Sequence, residues 1–111
     1  MLFKVRGESM LPVFLDGDIV ELKEIEKPHI GDYVVFKCPY NFQYAIKQVG
    51  DISGSKFWAT SLNSDLPGMI YADSREFGWI DNARIIGKVV QTWKKPKLRL
   101  KKWKRKLRLL K

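Results

Sequence analysis

Residues 31–50 read GDYVVFKCPYNFQYAIKQVG, and this stretch decides the fold class. A Gly-Asp pair at 31–32 is a turn signal, and the YVVFK that follows is aromatic and β-branched, as strands are. The segment QYAIKQVG (43–50) has the same character and ends at a second turn signal, Gly50-Asp51. Residues 31–37 and 43–50 are therefore predicted to be short β-strands.

Similar segments lie on both sides of this stretch. Turn signals at Gly17-Asp18 and Pro67-Gly68 separate them, and helical periodicity is absent before residue 94. The pattern predicts a mainly β domain over residues 1–93, with a folded-over sheet or a barrel. The further predicted strands are residues 18–25, 56–60, 77–80 and 84–93.

Length and composition restrict the class of protein. A chain of 111 residues, 45% hydrophobic and 13% aromatic, suits one domain with a small core. No run of about 18 apolar residues encodes a membrane span, and the N-terminus lacks a signal-peptide pattern. The single cysteine, Cys38, excludes an internal disulfide and is interpreted as a structural thiol. We expect a cytoplasmic protein, or one peripheral at a membrane surface.

Charge divides the chain into two parts. It has 21 Lys and Arg against 12 Asp and Glu. Eleven of the basic residues lie in 94–111, KKPKLRLKKWKRKLRLLK, which contains no acid. Residues 1–93 therefore hold ten basic residues against all twelve acids, so a mildly acidic domain carries a polybasic tail.

The tail has an imperfect amphipathic pattern. At helical spacing four apolar side chains share one stripe, while Leu98 and Leu109 fall on the far side. Tryptophan favours membrane interfaces, and a polybasic segment is attracted to anionic lipid. We expect a helix that binds an anionic membrane; a solvated, disordered tail and nucleic-acid binding are the alternatives. The stripe consists of Leu100, Trp103, Leu107 and Leu110.

Ser9, in GESMLPVFLDGD (7–18), is the candidate nucleophile. A serine needs a base to take its proton. The only histidine, His29, lies at a turn and is a poor candidate. Lys47 has apolar neighbours at i±2, Ala45 and Val49, so its strand pattern predicts a buried amine, which can be neutral. Taken alone, Lys47 could instead reach water from an edge strand, and Ser9 could be a turn residue.

The motifs occur in one order and at compact spacing over residues 5–90. Together they resemble the S24/S26 serine peptidases, which include the type I signal peptidases and the LexA-like self-cleaving repressors. The Asp-Ser-Arg-x-Phe-Gly element at 73–78 is similar to that of the signal peptidase branch. The segments are GESMLPVFLDGD (7–18), GDYVVFK (31–37), AIKQVG (45–50), ADSREFGWI (72–80) and IIGKVV (85–90).

This resemblance implies a Ser/Lys dyad formed by Ser9 and Lys47, on a mostly antiparallel β fold. It implies that the Ser9 backbone N–H helps to hold the oxyanion, and that Met10 and Pro12 shape the turn and line a substrate groove. Asp73 and Arg75 match a structural ion pair near the dyad. No metal or cofactor is implied.

Three positions depart from the family pattern. Gly7 stands where some signal peptidases have a serine oxyanion donor, and Tyr71 stands where many have a serine that hydrogen-bonds the lysine. Gln48 replaces the usual arginine. Eight residues before Ser9 hold neither a membrane anchor nor a DNA-binding domain, so we expect a substrate in trans.

The expected function is thus a serine endopeptidase that cleaves a peptide or precursor protein after small residues, as signal peptidases do. The alternative is a catalytically degenerate binding module whose tail binds nucleic acid or another polyanion.

Overall fold

The computed structural model describes residues 1–64, 71–94 and 107–110. In these ranges eight strands form a single sheet. The strands are β1 (Leu2–Val5), β2 (Ile19–Lys23), β3 (Tyr33–Lys37), β4 (Tyr44–Ser53), β5 (Lys56–Thr60), β6 (Ile80–Asp81), β7 (Ile85–Trp93) and β8 (Leu107–Leu110).

The strand order is β6-β5-β4-β3-β7-β2-β1-β8. β7 lies between β2 and β3, so strands that are neighbours in sequence are separated in the sheet. Every pairing is antiparallel except that of β1 with β8, which is parallel. β8 also approaches β4, which is distant in the strand order, because the sheet folds over on itself.

The core follows the alternation of the strands and forms two clusters. Apart from Lys47, the strand side chains that point inward are apolar and almost wholly buried, as burial of a strand face requires. One cluster contains Phe3, Val5, Met10, Phe14, Val20, Leu22, Val35 and Ile46. The other contains Val34, Phe36, Cys38, Ala45, Val49, Phe57, Ala59, Phe77 and Ile80. The prediction of a mainly β, folded-over antiparallel domain is confirmed.

The strand predicted at 77–80 is wrong at residues 77–79 and correct only at Ile80. A one-turn helix, α1 (Ser74–Phe77), occupies this region, and β6 begins only at Ile80. The Asp73 side chain caps α1 by accepting a hydrogen bond from the Arg75 N–H. Aromatic residues suggested a strand here, but Asp73 satisfies a backbone donor that a helix start leaves free.

The predicted helix is also wrong at the end of the tail. Leu107 and Leu110 belong to β8, whose four residues pair with Leu2–Val5 of β1. Extended residues can satisfy the backbone groups at the exposed edge of β1, and an isolated helix of this length has no comparable partner. Leu100 and Trp103, the other members of the stripe, lie outside the described residues.

In the described part of the chain, no helix has both the length and the apolar character needed to cross a bilayer.

Candidate active site

A tight loop between β1 and β2 positions Ser9. Gly7 has a φ of 83°, which favours glycine, and its N–H donates to Asp16 Oδ1 at 2.8 Å. This conformation favours glycine at the position where some signal peptidases have a serine oxyanion donor. The loop then turns through 3.0–3.1 Å hydrogen bonds from the Val13 and Phe14 N–H groups to the Met10 carbonyl. The serine is thereby held on a short, internally bonded loop.

Lys47 lies in the middle of β4, in register with Val34 of β3. Its side chain is 1% exposed and Ser9 is 8% exposed. Lys47 Nζ donates a hydrogen bond to Ser9 Oγ at 2.8 Å. The strand pattern predicted a buried lysine correctly, and the structure brings it to the serine across 38 residues of sequence.

Burial lowers the pKa of Lys47 from 10.5 to about 8, because the charged ammonium is poorly solvated in the core. The negative charge of Asp73 acts in the opposite direction and limits the fall in this pKa, whereas Arg75 lowers it slightly. Near neutral pH a useful fraction of Lys47 is therefore neutral. A neutral amine can accept a proton from the serine that it contacts.

Asp73 and Arg75 form the ion pair that the resemblance implied. Arg75 Nη2 donates to Asp73 Oδ2 at 2.8 Å, and Ser61 Oγ donates to the same oxygen at 2.6 Å. The carboxylate is 1% exposed, so this is not a pair between two solvated side chains. Burial raises the pKa of Asp73, but the hydrogen bonds from Arg75 and Ser61 outweigh this and the net pKa is lowered. Asp73 is thus a fixed negative charge near Lys47.

Two residues that hold this region together, Asn63 and Ser61, are not predicted from the sequence. The Asn63 N–H donates to the Ser9 carbonyl at 2.9 Å, and Asn63 Nδ2 donates to the Glu8 carbonyl at 3.1 Å. Asn63 therefore holds the backbone on both sides of the Glu8–Ser9 peptide. Ser61 holds Asp73, as described above. The segment SLNS has no short-range signal for these contacts, because each partner lies at least 12 residues away.

Met10 lies in the core, whereas Pro12 lies at the surface of the loop. The Met10 side chain is 1% exposed and packs in the core with Phe3 and Phe14, so the expectation that it lines a groove is wrong. Through this packing, the Met10 side chain anchors the turn to the core. Pro12 follows a cis peptide bond and is exposed on the loop.

The remaining candidates lie outside this arrangement or support it. The His29 side chain is 74% exposed and faces Asp32, so it takes no part in the site. The Arg75 guanidinium stacks at 3.8 Å over the ring of Tyr71, the residue that departs from the family pattern. Gln48 Nε2 donates to the Gly31 carbonyl at 3.4 Å.

A small cavity adjoins Asp73 and Arg75. It has a volume of about 150 Å³, and Trp58, Thr60 and Ser61 contribute to its wall. In residues 1–64, 71–94 and 107–110, no three His, Cys, Asp or Glu side chains are grouped in a way that could hold a metal ion. The side chains described at this site offer a hydroxyl, an amine and a carboxylate–guanidinium pair.

The fold and the Ser–Lys contact define the class: a β domain of the serine peptidase type. Residues 1–90 match the family model described as Peptidase S24-like, and the chain belongs to this family. No curated protein and no solved structure is significantly similar to the chain.

Proposed function

We propose that the protein is a serine endopeptidase in which Ser9 is the nucleophile and Lys47 is the general base. The observation that carries this proposal is the 2.8 Å hydrogen bond between Lys47 Nζ and Ser9 Oγ, made in a nearly solvent-free environment. Nucleophile and base within hydrogen-bonding distance are what covalent catalysis requires. A lysine with a pKa of about 8 suits the role of base better than a solvated one.

The reaction would proceed in two stages. Neutral Lys47 Nζ accepts the Ser9 hydroxyl proton as Oγ bonds to the scissile carbonyl carbon, and the carbonyl oxygen gains negative charge. The Ser9 backbone N–H, as the family resemblance implies, is aimed at this oxyanion. The ammonium then protonates the leaving amine, the C–N bond breaks and an ester on Ser9 remains. Water, deprotonated by the same amine, then attacks the ester carbonyl; the ester C–O bond breaks, and the ammonium returns its proton to Ser9 Oγ.

The substrate class follows from the resemblance to signal peptidases. We propose cleavage in trans after small residues of a peptide or precursor protein. The support for this finer proposal is the Asp-Ser-Arg-x-Phe-Gly element, whose Asp73 and Arg75 form the buried-carboxylate ion pair beside Lys47. The family model supports only the coarser peptidase class.

The test is cleavage of a signal-peptide-like substrate with small residues before the scissile bond. Ser9→Ala and Lys47→Ala should each lower kcat/KM by about 10⁴-fold or more, because residues of a catalytic unit fail together. Matched controls are Ser53→Ala and Lys56→Ala, which change exposed residues of β4 and β5 and should leave kcat/KM within twofold. Cleavage that survives both active-site changes would contradict the dyad.

The alternative of a non-enzymatic binding module is tested with the same protein. It expects no turnover by the wild type, together with tight binding of an RNA or DNA oligonucleotide that weakens steeply with salt. Turnover that depends on Ser9 and Lys47 would contradict it.

A further inference from the structure

β8 lies at the edge of β1, the strand that leads to Ser9. Val5 ends β1, and Ser9 follows four residues later. β8 pairs with β1 in parallel, with Leu2 opposite Leu107 and Val5 opposite Leu110. It therefore runs in the same direction as β1, toward the loop that carries the serine. It also approaches β4, the strand of Lys47, so it contacts both the strand that leads to Ser9 and the strand that carries the lysine.

The backbone of β1 shows which of its groups β8 uses. The Leu22 N–H donates to the Met1 carbonyl, and the Gly17 N–H donates to the Val5 carbonyl, so both carbonyls face β2. Backbone groups alternate between the two sides of a strand, so those of Leu2 and Lys4 face β8. Without β8 they would form an open edge, which is a template for another extended chain.

A peptide that adds to this edge would follow the same geometry. Main-chain hydrogen bonds to an exposed sheet edge are a common way to bind an extended peptide. A peptide parallel to β1 directs its carbonyl end toward Ser9, as the acyl part of a substrate must when the serine attacks its carbonyl. β8 runs in this direction and occupies this edge of β1.

We propose that β8 is an internal competitor for the substrate strand: the chain's own residues 107–110 occupy the edge of β1 where an extended peptide would pair, so β8 must leave before substrate binds. This inference rests on the proposed peptidase function and adds a regulatory step to the same site. An occupied edge reduces apparent affinity in proportion to the fraction of molecules in which it is free, without changing the chemistry at Ser9.

The register provides a matched pair of variants. Lys4 lies opposite Leu109 in this parallel ladder. The Lys4 carbonyl therefore accepts a hydrogen bond from the Leu110 N–H, whereas the Leu109 N–H points away from β1. Leu110→Pro removes a ladder hydrogen bond, and Leu109→Pro does not. Loss of one such bond should weaken the docking of β8 about fivefold.

The experiment measures binding and cleavage with full-length protein. A fluorescein-labelled peptide of residues 105–111, RKLRLLK, is titrated into Ser9→Ala protein that also carries Leu110→Pro, Leu109→Pro or neither change. The Leu110→Pro protein should bind the peptide about fivefold more tightly than the other two, and the peptide RKLRLPK should bind weakly to all. With Ser9 intact, Leu110→Pro should lower KM for the signal-peptide-like substrate about fivefold at unchanged kcat.

The outcomes are distinct. Equal peptide affinity for all three proteins would overturn the inference, and so would equal affinity for RKLRLLK and RKLRLPK. Peptide affinity that depends on β8, without cleavage by any variant, would overturn the peptidase function and leave β1 as a peptide-docking edge that β8 occupies. Because β8 is an edge strand, the thermal unfolding of the variants serves as a check that the rest of the domain is folded.

Discussion

Lys47 is the residue on which the site depends, and its environment is unusual for a lysine. An ammonium group in an apolar core is strongly disfavoured unless it is paired or neutral. Here the amine contacts the Ser9 hydroxyl, which can accept a hydrogen bond from the ammonium or donate one to the neutral amine. The negative charge of Asp73 offsets part of the effect of burial on the pKa of Lys47. The protein thereby holds a lysine that titrates near the pH at which it would act.

This titration predicts a pH dependence of stability. The pKa of Lys47 is about 8 in the folded protein and about 10.4 in an unfolded chain. Between these values the unfolded state binds more protons, so the free energy of unfolding should rise with pH, by about 3 kcal/mol in total. Below pH 8 both states are charged and this gain is absent. Urea denaturation of wild type and Lys47→Met from pH 7 to 10.5 isolates the effect.

Between pH 8 and about 10.4 the free energy of unfolding of wild type should rise relative to that of Lys47→Met, since methionine does not titrate. A constant difference between the two proteins would contradict a depressed pKa. The same group should appear in catalysis, where kcat/KM should rise with pH and level off above about 8.

The sequence predicted that Ser9 and Lys47 form a pair, but it did not predict the residues that hold the surrounding backbone and Asp73 in place. Ala45 and Val49 flank Lys47 in β4 and indicate a buried lysine, but this alternation also fits an edge-strand lysine that reaches water, and the family resemblance favours the buried position. Asn63 and Ser61 gave no such signal, because their roles depend on where a loop crosses the site. Met10 was assigned to a groove from a resemblance, whereas its size and apolarity placed it in the core.

At the scale of the elements, β7 passes close to the backbone of β2 at Gly87. A Cβ on Gly87 would lie 2.7 Å from the Lys23 carbonyl oxygen, which is backbone and cannot move alone. Glycine is thus required at the point where β7 enters the middle of the sheet. A Cβ on Gly50 would clash with the Thr60 hydroxyl, a side-chain group that can rotate away, and would meet the Trp58 carbonyl oxygen only at an ordinary contact distance of 3.7 Å.

Gly87→Ala should therefore destabilise the domain by about 1–3 kcal/mol, because it forces apart two paired strands. Gly50→Ala makes the same chemical change in β4 and should cost less. Chemical denaturation of the two variants compares them directly. Equal costs, or a larger cost for Gly50→Ala, would contradict this account of the β2–β7 contact.

The strands themselves were largely predictable, but their pairing was not. β-Branched runs between Gly-Asp turns identify β2, β3 and β4 within a few residues. The exceptions are α1, where the cap at Asp73 mattered more than the aromatic residues after it, and β8, where a helix was predicted. The insertion of β7 between β2 and β3 depends on contacts distant in sequence, and the pairing of β8 with β1 joins opposite ends of the described chain.

Across the whole molecule, positive charge is concentrated after residue 93. That segregation still predicts attraction to anionic surfaces, each Lys or Arg contributing about 1 kcal/mol near anionic lipid. The full chain should co-sediment with phosphatidylserine-containing vesicles at low salt, and far less at high salt. Replacing two tail lysines, Lys101→Glu with Lys102→Glu, should weaken binding at least about 30-fold.

The control is Lys56→Glu with Lys37→Glu, a change of equal charge at exposed residues of β5 and β3. If both double variants lose the same affinity, the net charge matters and the tail has no special role. Absence of binding at low salt would contradict membrane association altogether.

The position of β7 has a consequence for how the protein is made. Because β7 separates β2 from β3, the strand pairings available to the first 84 residues leave the sheet in two halves, β1–β2 and β3–β6, that are not paired with each other. Ser9 belongs to one half and Lys47 to the other. During synthesis, the chain must wait for β7 before the sheet can close over both residues, and pairings so distant in sequence form slowly. We expect the nascent chain to remain without a serine–lysine contact until almost the whole domain has been synthesised, so a newly made molecule is inert while it is still being translated.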